Sequence, residues 1–519
     1  MPGVFTRQCD KLPMDVRRLA VYPVQSLKRY NQMNKTLLFM VLLLAALPQT
    51  VLALPDSNQI EFSNCMLALP GTSLTASARC GSLEVPENPA EPAGRRISLN
   101  IAIAPATGKT TEPDPVFFFA GGPGQAASET WVMMRSVLNK IRKNRDIVMI
   151  DQRGTGQSNK LACESEVAED LNQEIDLDLI RMETEKCLAG LDGNPRFYTT
   201  TIAMADYNLV REAMGYEMIN LMGVSYGTRA AQVYLRLFPE TVRSVTLDSV
   251  VPMQLALGQE HAPMLDRSVE EVFADCAGDE SCNSLFPGQA DELNDLFTRL
   301  RAAPQQITMI NPVSGEPQAV LLTADTLAVA IRFLSYSSET QALLPLLVHE
   351  ALTTGNLARL ASQAVLVMTG LNEMLARGME LSVLCSEDYP FIDTSADYGD
   401  TLMGNLLLEI VDLQCKVWPH DPAPAGFHLP VVSDVPVLLM SGERDPVTPP
   451  HYAAQTAETF ANSLNLVARG QSHSVMKNVC LRDITTEFIN KGTVENLDIT
   501  CVENIRPAPF FTSLLGPNP

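Results

Sequence analysis

The chain has 519 residues, 46% of them hydrophobic and 19% charged, with 60 Asp and Glu against 38 Lys and Arg for a formal charge of −22. The hydrophobic fraction is that of a globular protein and excludes both a disordered chain and a polytopic membrane protein. The acidic balance argues against a nucleic-acid partner, because phosphate contacts need a basic face.

Residues 1–53 differ from the rest. They hold seven Lys and Arg against two acids, a net +5, which leaves −27 for residues 54–519. Leu37 to Leu47 is an unbroken apolar run of 11 residues, whereas a membrane span needs about 20. A short apolar run behind a basic flank, followed by Val51-Leu52-Ala53, reads as a secretory signal cleaved after Ala53. Met33-Asn34-Lys35 is the expected true start. The mature protein is then expected to be exported, to the periplasm or the medium, with no stable membrane span.

Export gives the cysteines a role. Loss of Cys9 with the leader leaves ten: Cys65, Cys80, Cys163, Cys187, Cys276, Cys282, Cys385, Cys415, Cys480 and Cys501. They fall as five close neighbours, separated by 15, 24, 6, 30 and 21 residues. Short loops close at the least entropy cost, so five sequential disulfides are predicted. No Cys or His cluster has zinc spacing, so neither a metal nor a cofactor is expected.

Short apolar runs follow in chain order: Val116–Phe119, Ile147–Ile150, Ile219–Val224, Val242–Leu247, Val435–Met440 and Leu464–Ala468. Continuous apolar runs alternating with helical stretches predict a mostly parallel sheet covered by helices on both faces, an α/β class. In such sheets functional groups gather beyond the carboxyl ends of the strands.

Gly223-Val224-Ser225-Tyr226-Gly227 follows one of these runs and opens a helical pattern. This is the context of a nucleophile elbow, whose small residues two before and two after the Ser permit a sharp turn. A serine hydroxyl is a weak nucleophile until a base takes its proton. Among six His, His473 follows the strand 464–468 in a Gly/Ser-rich loop and is the predicted base, with His451 the runner-up. The acid is expected after the preceding strand, at Asp445, with Glu443 and Asp248 as alternatives. The oxyanion needs backbone donors, assigned to the N–H groups of Tyr226 and of Gly122 in Gly121-Gly122-Pro123-Gly124.

The Gly121–Gly124 loop, Asp151-Gln152-Arg153-Gly154-Thr155-Gly156-Gln157-Ser158 and the Ser225 pentapeptide together resemble the prolyl and tripeptidyl aminopeptidase branch of the α/β-hydrolases. Cys276–Cys282, Gly442–Pro449 and His473 extend the resemblance, which covers about residues 75–505. Ala120 and Tyr226 depart from the proline-specific group and lean toward the exported tripeptidyl type. The resemblance implies an α/β-hydrolase fold with an inserted cap, an acyl-enzyme on Ser225, peptide substrates, and Asp151 and Arg153 as supports of the oxyanion loop. It also implies cap acids that hold the substrate's free amine, for which Glu387 and then Asp388 are nominated.

The expected organisation is a leader over 1–53, a core segment over 54–252, a helical cap over 253–430 and a second core segment over 431–519. Two chemistries share this triad, an aminopeptidase and a carboxylic-ester hydrolase.

Overall fold

A computed structural model of the chain describes residues 60–163, 174–312 and 314–517. The leader, with its cleavage point and start codon, lies outside them.

Among the described residues, nine strands build one sheet. They are β1 (Ser63–Ala68), β2 (Thr75–Pro86), β3 (Arg96–Ala104), β4 (Val116–Phe119), β5 (Ile147–Ile150), β6 (Ile219–Val224), β7 (Val242–Asp248), β10 (Val437–Gly442) and β11 (Ser463–Ala468). Their spatial order is β1-β2-β3-β5-β4-β6-β7-β10-β11. From β5 to β11 every pairing is parallel, while β1, β2 and β3 join antiparallel at one side.

Alternate residues of the central strands feed two apolar cores. Phe117, Phe119, Leu221, Leu247 and Leu439 pack beneath helices Thr200–Ala213 and Tyr226–Leu237. Phe118, Met149, Met222, Leu438 and Met440 pack on the opposite face, against helices Ala127–Met134 and Val479–Lys491. Both faces are therefore dry, which is why these strands read as continuous apolar runs.

Strands β7 and β10 are neighbours in space, yet residues 249–436 lie between them in sequence. This insertion has an apolar cluster of its own, including Leu265, Val272, Phe297, Leu327, Ile331 and Val348. It is not wholly helical as expected: β8 (Gln305–Ile310) and β9 (Pro317–Leu322) form an antiparallel hairpin within it. Only one or two residues of each hairpin strand are buried, so the pair leaves almost no hydrophobic pattern. The insertion is clamped to the core through Arg229 of the helix after the elbow. Arg229 is fully buried, binds Asp388 at 2.6 Å and donates to the carbonyls of Pro252 and Leu255.

Among the described residues, five disulfides join Cys65–Cys80, Cys163–Cys187, Cys276–Cys282, Cys385–Cys415 and Cys480–Cys501. Among the described residues, no helix is long and apolar enough to cross a membrane.

Candidate active site

Ser225 sits at the turn between β6 and the helix Tyr226–Leu237, with φ 58° and ψ −128°. A positive φ is costly for a residue with a side chain and persists only where the surroundings impose it. The two flanking glycines show what imposes it. A Cβ on Gly223 would stand 2.3 Å from the Gly227 carbonyl oxygen, and one on Gly227 would stand 2.2 Å from the Phe119 carbonyl oxygen. Strand, turn and helix are thus packed backbone to backbone, and the serine is the residue pushed out of the sheet.

His473 and Asp445 arrive from the ends of β11 and β10. The His473 Nδ1 and Asp445 Oδ2 atoms are 2.8 Å apart. Asp445 is fully buried, and its carboxylate is held on every side. It accepts from the backbone N–H groups of Val447 at 3.0 Å and Thr448 at 2.8 Å, and from the Thr448 hydroxyl at 2.7 Å. Burial by itself would raise its pKa. The opposing pull of His473 and the Thr448 bonds wins, and the carboxyl is held below its ordinary range. With Nδ1 engaged by the carboxylate, Nε2 is the ring nitrogen left for a proton from serine.

The alternative acids lie close by in supporting positions. Asp248, at the end of β7, accepts from the N–H groups of Val475 at 2.9 Å and Met476 at 3.0 Å. Glu443, just after β10, accepts from Gly470 N–H at 2.7 Å. These two carboxylates pin the His473 loop from both sides. Burial raises the Asp248 pKa against those same backbone bonds. His451 is exposed on helix Pro450–Ala457, where its ring meets that of Tyr452 edge-on.

The Gly121–Gly124 loop follows β4 and abuts the nucleophile: a Cβ on Gly121 would lie 3.2 Å from that of Ser225. Behind it, buried Asp151 accepts from Ser128 N–H and Oγ, both at 2.9 Å, and from Asn100 at 2.8 Å. Arg153 grips Asp206 at 2.7 and 2.9 Å and the carbonyls of Glu87 and Phe197. Tyr226 turns its side chain down, its hydroxyl meeting Gln152 at 3.1 Å and Thr200 at 2.6 Å, which leaves its N–H at the helix start beside Ser225.

A cavity of about 1330 Å³ opens over Ser225 and His473, roofed by the insertion. An alpha/beta hydrolase fold model matches residues 114–477. The chain belongs to that family.

Among relatives of this hydrolase is the serine protease Hip1 of Mycobacterium tuberculosis, 23% identical over 486 residues, or 85% of this chain and 91% of that protein. The tripeptidyl aminopeptidase of Streptomyces coelicolor is 24% identical over 481 residues, covering 84% and 85%. The putative hydrolase YuaR of Escherichia coli K12 is 24% identical over 486 residues, covering 86% and 93%. Among solved structures, a proline iminopeptidase from Mycobacterium smegmatis is similar at 14% identity and a TM-score of 0.37, over 79% of this chain and 98% of that one.

One expectation needs correction. Glu387 and Asp388 do not reach the hydrolase's cavity. Both are buried and already engaged. Glu387 accepts from Thr200 N–H at 2.6 Å and from the Thr200 hydroxyl at 2.7 Å. Asp388 holds Arg229 and accepts from Leu257 N–H at 2.8 Å. Burial, helped by the neighbouring Asp388, pushes the Glu387 carboxyl up to about 8. The carboxylates on the cavity wall are instead Glu174, Glu183, Asp325 and Glu380.

Sequence reasoning also missed Thr448 and Tyr336. Asp445-x-x-Thr448 is a side-chain-capped turn, a pattern that could have drawn notice. Tyr336 packs its ring against His473, with centroids 4.9 Å apart and planes at 61°, and nothing in the local sequence signals that.

Proposed function

We propose that this hydrolase is an exported serine aminopeptidase, releasing short peptides or residues from free N-termini. Ser225 attacks the scissile carbonyl while His473 Nε2 takes its proton and Asp445 stabilises the imidazolium. The N–H groups of Gly122 and Tyr226 hold the oxyanion. His473 then protonates the departing amine, and water releases the acyl group from Ser225. The reaction calls on no metal or cofactor, and the substrate is the only partner it requires.

The observation that carries this reading is the cavity. Its volume of about 1330 Å³ exceeds the roughly 300–1,000 Å³ of ordinary small-ligand pockets. Ser225 and His473 line it, and among the described residues its wall carries four carboxylates beside five Lys and Arg, a mixed wall that suits an extended peptide with charged ends. The relatives named as a serine protease and a tripeptidyl aminopeptidase point the same way. Five disulfides suit an oxidising compartment, and the basic, apolar leader suits export. Ester hydrolysis by the same triad is the second reading, since acyl transfer from an ester needs no amine recognition.

Peptide anilides with free and N-acetylated termini separate the two. Free-amine tripeptidyl anilides are expected to be cleaved at least about tenfold faster, the effect of losing one charge-assisted contact. Equal rates on both would overturn the aminopeptidase reading.

A further inference from the structure

Helix Ala324–Leu334 lays one face along the cavity. Asp325, Ala328, Val329, Arg332, Phe333 and the following Tyr336 all line it, at the spacing of successive helical turns. Tyr336 fixes the register of this face, because its ring lies against His473. Arg332 is four residues earlier, in the last turn of that helix.

Arg332 differs from Arg377 and Arg482, which also line this wall; Arg482 stands 3.9 Å from Asp483. Arg377 is matched by Glu380 at 2.7 Å. Arg332 has no carboxylate in an ion pair among the described residues, and its Nε is buried with no hydrogen-bond partner. Its neighbours are the Phe333 ring at 5.5 Å, the Tyr336 hydroxyl and His261, whose pKa is depressed by burial and then by the Arg332 charge. A guanidinium presents five N–H donors in a flat fork that fits a carboxylate. Burying part of that fork unpaired is costly. In a chain with 60 acids and 38 bases, a cation left unmatched on the wall of the catalytic cavity stands out.

We propose that Arg332 is a specificity-determining residue that holds a carboxylate of the substrate one helical turn from the catalytic imidazole. The group it reads therefore lies near the scissile bond, at a position the panel below identifies. That carboxylate is either an Asp or Glu side chain or the free C-terminus of a short peptide. The proposal rests on the peptidase reading above and sharpens its substrate class to acidic oligopeptides.

The test is a panel of peptides with free amines, assayed by kcat/KM. One arm replaces each position in turn by Glu or by Gln. The other compares a free C-terminal carboxylate with its amide. In one arm, the carboxylate is expected to win by at least about tenfold. Arg332→Gln should bring that ratio to near one, and Arg332→Lys should keep part of it. Which arm responds identifies the source of the carboxylate. Wild-type enzyme with no carboxylate preference in either arm would overturn the proposal, as would a Gln variant of unchanged melting temperature that keeps the full ratio. If the Gln variant does not fold, the wild-type ratios and the Lys variant still decide. Failure of the peptidase reading would show separately, as indifference to N-acetylation.

Discussion

Gly227→Ala is the sharpest test of how the nucleophile is held. Its new Cβ would fall 2.2 Å from the Phe119 carbonyl oxygen and 2.7 Å from that of Ala120. Both obstacles are backbone, and Phe119 is buried at the centre of the sheet, so the helix must yield by about 1 Å to restore contact. Overpacking of this kind costs roughly 1–3 kcal/mol of stability. The same displacement carries Ser225 with it, and an error of about 1 Å in reacting geometry costs about a hundredfold in rate. The assay is kcat and KM on a tripeptidyl anilide, with thermal melts read alongside. Gly278→Ala serves as the control, because its Cβ would meet nothing within 4 Å; it should leave both quantities nearly unchanged. A Gly227→Ala enzyme with wild-type kcat, or a control equally damaged, would refute the claim that backbone crowding sets the elbow.

Two further outcomes follow from buried groups. Thr448→Val keeps the side chain's shape but removes the 2.7 Å bond to Asp445. A hydrogen bond to a charged group contributes about 1.5–3 kcal/mol, so kcat should fall roughly ten- to a hundredfold. Because the Asp445 pKa is held low in the fold, its contribution to stability is present above the ordinary carboxylate range and lost as pH falls through the depressed value. The valine variant should accordingly lose stability at a higher pH on acid titration, and identical acid midpoints would count against the reasoning. Glu387 has the opposite sign: its folded pKa is raised to about 8, so its contribution is full below the ordinary glutamate value and disappears as pH climbs through about 8. Melting temperature should drop between pH 6 and 9, and less so in Glu387→Gln; parallel curves for the two proteins would disprove the assignment.

What could be read in advance was what is local in the chain. The elbow occupies five consecutive residues, and its two glycines are demanded by contacts that any strand-turn-helix of this kind must make. Asp445 and His473 were legible because each follows a continuous apolar strand. The antiparallel β2 was harder, since buried and exposed residues alternate along most of its length and no apolar run marks it. Glu387 and Asp388 failed for a different reason. A disulfide at Cys385 indicates an ordered neighbourhood but not the direction in which neighbouring side chains point, and here they point at Thr200 and Arg229. Tyr336 and Arg332 depend on how the insertion settles over the sheet, which no local periodicity encodes.

The disulfides lend themselves to a statement about assembly. None of the five encloses more than 30 residues of separation, and none runs between the insertion and the sheet that carries the triad. Each bond can therefore form soon after its second cysteine emerges from a translocating chain, before distant cysteines exist to compete. The oxidative step can in this way be completed piecemeal, and the seating of the roof on the catalytic floor rests on non-covalent contacts such as that of Arg229 with Asp388.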